Sequence, residues 1–129
     1  RMKILVLLLT FLSFPCLAEW VLISKNSEGV TTYVDNNSIS AEGKYLYYWE
    51  LLDYKNINEL GYMSTKTYKQ IECNSTFFQT LYLVSFKKPM GEGKIYNNFN
   101  PNTKLVTASW GSSNYHSMRA ACKYFKIIK

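Results

Sequence analysis

Two segments constrain the fold of this chain more than any other feature. "YLYYWELL" at 45–52 and "TFFQTLYLVSF" at 76–86 are apolar on both alternating faces. In the second, one parity carries Phe78, Tyr82, Val84 and Phe86 and the other carries Phe77, Leu81 and Leu83. Successive side chains of a strand point to opposite faces, so a strand without a polar face is a central one covered on both sides. Aromatic and β-branched residues gather in further segments of strand length, and six strands are expected at Trp20–Ser24, Thr31–Asp35, Tyr45–Asp53, Met63–Glu72, Phe77–Lys87 and Lys94–Phe99. Turn-forming residues separate them: "NSEG" at 26–29, "DNNS" at 35–38, "AEG" at 41–43, "NST" at 74–76 and "MGEG" at 90–93. Connections this short join neighbours as hairpins, which predicts an antiparallel meander without crossover helices.

The period then changes. In "SSNYHSMRAACKYFKIIK", Tyr115, Met118, Cys122 and Phe125 fall at i, i+3, i+7 and i+10, one stripe of a helix. Ser112 or Ser113 can cap its N-terminus, and Lys123 and Lys126 suit its C-terminal turn. The chain is too short to build a second sheet, so this helix covers one face of the first. The other face is left to loops, to solvent or to a partner. The expected class is α+β in a single domain.

The N-terminus carries a secretory pattern: basic Arg1 and Lys3, the apolar run "ILVLLLTFL", then a short Pro-containing region. The run is too short to span a bilayer. Pro15, Phe14 and Ser13 poorly suit a lipoprotein-type cut before Cys16, whereas a cut after Ala18 puts Cys16 and Ala18 at the two positions that require small residues. Residues 1–18 are therefore expected to be a signal peptide, with lipidation of Cys16 disfavoured and the protein exported to the periplasm, the outer surface or the medium. Loss of Cys16 leaves Cys73 and Cys122, and an even pair in an oxidising compartment reads as one disulfide that ties the helix to the sheet. The alternative is two separately buried thiols.

Charge excludes more than it proposes. Removing Arg1 and Lys3 from 15 Lys and Arg leaves 13 against 9 Asp and Glu, a net charge of +4 spread along the chain. That falls far short of a nucleic-acid footprint. His116 is the single histidine, so with both remaining cysteines bridged there is no ligand set for zinc and no Cys–His pair. No cofactor or metal is expected. Asp35, Asp53 and Glu72 sit at strand ends; a small carboxylate-based hydrolase would require two of them to meet, against their ordinary roles as turn formers. Lys87 and Lys88 with Lys94 across the "PMGEG" turn form a candidate binding cluster for an anionic surface, and some of the 11 tyrosines must face outward as contact area.

Trp20, "GVTTYVDNNSI" at 29–39, "WELLDY" at 49–54, "STK" at 64–66 before "EC" at 72–73, "MGEG" at 90–93 and a "GS" ten residues before Cys122 together resemble the surface-adhesin protein E family of Gram-negative bacteria. The likeness spans nearly all of residues 19–129. It implies a six-stranded antiparallel sheet with a C-terminal helix held on one face by a Cys73–Cys122 disulfide. Structural roles follow for Trp20, Tyr33, Asp35, Trp49, Asp53 and Tyr54, with no enzymatic motif. It also implies a non-enzymatic binding protein whose partners are host matrix or serum proteins, often met as a homodimer. The alternative is a periplasmic envelope or inhibitor-like protein that binds another protein.

Overall fold

A computed structural model describes residues 18–54, 56, 61–99 and 104–128. The expected signal segment, up to residue 17 and including Cys16, lies outside the described residues. All six expected strands are present: β1 (Trp20–Lys25), β2 (Thr31–Asp35), β4 (Tyr45–Asp53), β5 (Ser64–Glu72), β6 (Phe77–Phe86) and β7 (Ile95–Phe99). Two short ones join them, β3 (Ser40–Glu42) and β8 (Val106–Thr107), and the chain ends in helix α1 (Ser113–Ile128). Every pairing is antiparallel and the order β1-β2-β4-β5-β6-β7 follows the sequence, the meander that short connections require.

The two extra strands follow from the length of β4 and β6. β4 gives Glu50–Asp53 to β2 and has Tyr45–Tyr47 left over, which Ser40–Glu42 pairs. The "AEG" segment is thus not one turn: Ala41 and Glu42 are in strand, and the reversal is confined to Gly43, at φ 62°, and Lys44. Similarly, β6 uses Leu83–Phe86 for β7 and Phe77–Phe78 for β8. A bulge opposite Tyr68 and Lys69 leaves Leu81 without a register partner and re-aims the residues that follow.

Alternation sorts β4 and β5 into two unlike faces. On the helix side, Leu46, Tyr48, Glu50, Thr65, Thr67, Lys69 and Ile71 are all buried. Their apolar members join Val34, Phe78 and Ala108 against Met118, Ala121 and Cys122, with Tyr115 and Phe125 at the margin. The expected helical stripe is therefore the stripe that packs, and each large apolar side chain it buries contributes about 1.5–3 kcal/mol. Ser112 is the cap: its Oγ accepts from the Tyr115 N–H at 3.2 Å. Cys73, just past β5, is bonded to Cys122 in the middle of the helix. The helix lies over β1, β2 and β4, and this pins it across the sheet.

Candidate functional site

The face away from the helix has two parts. At one end the β6–β7 connection folds back over it. Asp53 Oδ1 accepts from the Met90 N–H at 3.2 Å, while Ser64 Oγ donates to the Lys88 carbonyl at 2.6 Å and accepts from the Gly91 N–H at 2.9 Å. Asp53 thereby holds Met90 at φ 58°, a conformation that non-glycine residues rarely adopt. Gly91 follows at φ 69°, and a side chain there would strike Cε of Lys66 beneath it. The Lys66 ammonium lies 5.1 Å from the centre of the Phe86 ring and 5.6 Å from that of Trp20. Leu51, in register with Lys66, is fully buried. This loop is the second cover that the two-sided strands demand.

The same loop assembles the basic cluster. Just beyond the paired ends of β6 and β7, the Lys87 N–H donates to the Lys94 carbonyl at 3.0 Å, and the Lys88 N–H donates to the Glu92 carbonyl at 3.3 Å. Lys87, Lys88, Gly93 and Lys94 line one open groove of about 560 Å³. None of the three lysines has an ion pair among the described residues. Lys87, Lys88 and Lys94 thus stand together at one turn.

Beyond the loop, no described element packs over the aromatic side chains that this face carries. Trp49, Tyr68 and Tyr82 stand in register across β4, β5 and β6. Trp49 is 5.1 Å from Tyr68 and 6.1 Å from Tyr82 between ring centres, and Tyr47 stacks on Tyr68 at 6.2 Å. All four are half-buried. Cross-strand aromatic pairs hold their rings at fixed positions, so this ladder offers rigid, amphipathic contact area at little entropic expense.

The acids have backbone work instead of meeting. Asp35 Oδ1 accepts from the N–H groups of Glu19 at 2.9 Å and Asn37 at 3.0 Å, capping a turn. Asp53 stands opposite Thr31 and Asp35 opposite Trp20, so the length of β2, roughly 13 Å, separates them. Glu72, opposite Tyr45, is at the far end of β4 from Asp53. A paired-carboxylate centre is not assembled from these residues. His116 is exposed on the first turns of α1, its ring 5.9 Å from Tyr115.

A sequence profile described as Surface-adhesin protein E matches residues 20–123. The chain belongs to the surface-adhesin protein E family. Its fold is similar to that of Haemophilus influenzae protein E: to crystal form II with a TM-score of 0.61 at 13% identity, covering 88% of this chain and 94% of that one. A second structure of that protein gives 0.59 at 15% identity over 89% and 94%, and one from a non-typeable strain gives 0.54 at 12% over 88% and 82%. A search among curated protein sequences returns no significant match.

For this adhesin E family member, sequence reasoning missed a buried ion pair at the base of the helix. Lys69 Nζ sits 2.9 Å from each oxygen of Glu50, also reaches the side-chain carbonyl of Asn114 on α1, and lies 4.8 Å from the centre of the Phe78 ring. Thr67 Oγ1 donates to Glu50 at 3.3 Å. Beside them the Tyr48 hydroxyl and Ser117 Oγ share a 2.8 Å hydrogen bond. Burial, and then the Glu50 carboxylate, push the Tyr48 phenol well above its ordinary pKa, against a smaller downward pull from Ser117. The available signal was parity: Glu50 alternates with Leu46 and Tyr48, and Lys69 with Thr67 and Ile71, so two opposite charges point into one core. Among the described residues no helix is long and apolar enough to cross a membrane.

Proposed function

We propose that the mature chain, residues 19–129 after removal of 1–18, is an exported, non-enzymatic adhesin-like protein. It contacts host matrix or serum proteins through the sheet face opposite the helix. The observation that carries this reading is the half-buried ladder Tyr47, Trp49, Tyr68 and Tyr82 on the sheet face over which the loop bearing the Lys87, Lys88 and Lys94 groove folds. Such a surface suits a protein partner, because aromatic side chains supply the anchors and lysines at the rim steer approach without a large desolvation penalty. Family membership supports the adhesin reading.

The test is saturable binding of the mature protein to an immobilised panel of matrix and serum proteins, together with fractionation of the native host. Tyr68→Ser with Tyr82→Ser should weaken binding about tenfold or more, as loss of central aromatic anchors does. Binding that is absent, or indifferent to these substitutions in a folded protein, overturns the assignment; recovery only as soluble periplasmic protein overturns the surface location.

A further inference from the structure

Helix α1, SNYHSMRAACKYFKII, contains no acidic residue. On its solvent side Arg119, Lys123 and Lys126 are exposed and fall within about 60° of one another around the axis, spanning roughly 10 Å. None has an ion pair among the described residues. Two grooves meet at Arg119, one running along the disulfide with Lys123 and Lys126, about 260 Å³, the other toward the β5–β6 turn and Tyr115, about 190 Å³. Asn74, Ser75 and Thr76 line the second groove. Next to Tyr115 stands Trp110, 85% exposed, with the two rings 6.0 Å apart.

We infer that this helix face is a binding site for a linear sulphated glycan. The chemistry divides along the groove. Arg119, Lys123 and Lys126 pair with sulphates, and Arg119 can do so in bidentate fashion. Asn74, Ser75 and Thr76 offer amide and hydroxyl groups to sugar hydroxyls. Trp110 and Tyr115 give flat faces on which the apolar face of a pyranose ring lies. Collinear charges at successive helical turns fit an extended polyanion better than a single anion. An anionic bilayer is disfavoured because, among the described residues, the stripe between the lysines carries no exposed large apolar side chain to enter it. This site lies on the opposite side of the sheet from the proposed protein-binding face and does not depend on it.

Isothermal titration of the mature, disulfide-bonded protein with heparin, and with chemically desulphated heparin, tests the site. Heparin should bind and the desulphated polymer should bind far more weakly. Arg119→Gln/Lys123→Gln/Lys126→Gln should lower the affinity about tenfold or more near 0.15 M salt and reduce the slope of log affinity against log salt by about 2. Lys123→Arg/Lys126→Arg should retain binding, and Trp110→Ala should weaken it without changing the salt slope. Lys87→Gln/Lys88→Gln/Lys94→Gln should leave it intact. The proposal fails if heparin does not bind or if the helix variant binds as well as the parent. It also fails if the loop variant alone loses binding, or if phosphatidylglycerol vesicles compete more strongly than heparin. Loss of host-protein binding in the Tyr68→Ser/Tyr82→Ser variant with heparin binding retained would separate the two sites.

Discussion

The Glu50–Lys69 pair makes the sharpest demand on stability. Both side chains are almost inaccessible, at 1% and 2% exposure, so neither charge has water to fall back on. The partners are complete: two carboxylate contacts at 2.9 Å, the Thr67 hydroxyl, the Asn114 side chain and the Phe78 ring. Lys69→Met strips the counter-charge and leaves the Glu50 carboxyl buried without its partner, which costs about 3–5 kcal/mol; Glu50→Leu does the converse to Lys69 at similar cost. A domain of this size has about 5–15 kcal/mol in all, so either change removes a large share. The double variant removes both charges and orphans only the Thr67 hydroxyl and the Asn114 amide, about 1 kcal/mol each. It should therefore be more stable than either single variant, with a coupling energy of at least about 3 kcal/mol. Urea unfolding followed by tryptophan fluorescence and far-ultraviolet dichroism measures all four corners of the cycle, and each single variant should lower the midpoint by about 2 M. Because Asn114 lies in the first turn of α1, amide exchange in that turn should quicken in Lys69→Met before the rest of the helix responds. Singles that cost less than about 1 kcal/mol, or that add up to the double, would refute the reasoning.

The raised pKa of Tyr48 predicts a loss of stability in alkali. Its protonated form belongs to the fold, so the contribution is complete below the unfolded value near 10 and is lost as pH rises toward the folded one. Stability should fall above about pH 10 by up to about 1.4 kcal/mol per pH unit for this group. Tyr48→Phe, at roughly 1 kcal/mol for the lost Ser117 bond, should flatten that decline. Tyr54, raised chiefly by burial, keeps part of it. Urea midpoints at about pH 9 and about pH 11 give the comparison, and an unchanged slope in the variant would sink the assignment. The Cys73–Cys122 bridge closes a 49-residue separation, worth about 4 kcal/mol on the chain-entropy account. Cys73→Ser/Cys122→Ser should lower Tm by about 15 °C in thermal scans, and a drop of less than about 3 °C would show that the bridge does not limit unfolding.

Local pattern was enough for the elements. Alternation and turn residues locate β1, β2, β4, β5, β6 and β7, the stripe of Tyr115, Met118, Cys122 and Phe125 names the packed face of α1, and short connections dictate their order. With Cys16 expected to leave with the signal, cysteine parity points to a Cys73–Cys122 bond. These are properties of residues near one another in the chain, or of counts, and they survive without knowledge of the fold. β3 and β8 escape because a three-residue and a two-residue strand carry no period of their own; they exist because β4 and β6 have edge hydrogen bonds left to satisfy.

The sheet, the helix and the bond between them were legible in the chain before any contact was known. How the second face is divided emerges from packing alone: Asp53 and Ser64 draw the 88–91 segment over Lys66, and farther along Trp49, Tyr68 and Tyr82 line up as half-buried rings. Packing likewise brought Glu50 and Asn114 to Lys69, set Trp110 against Tyr115, and put Tyr115 and Arg119 along one groove. Each of these depends on side chains that meet across strands or from helix to sheet, at distances fixed by register and packing rather than by position in the chain.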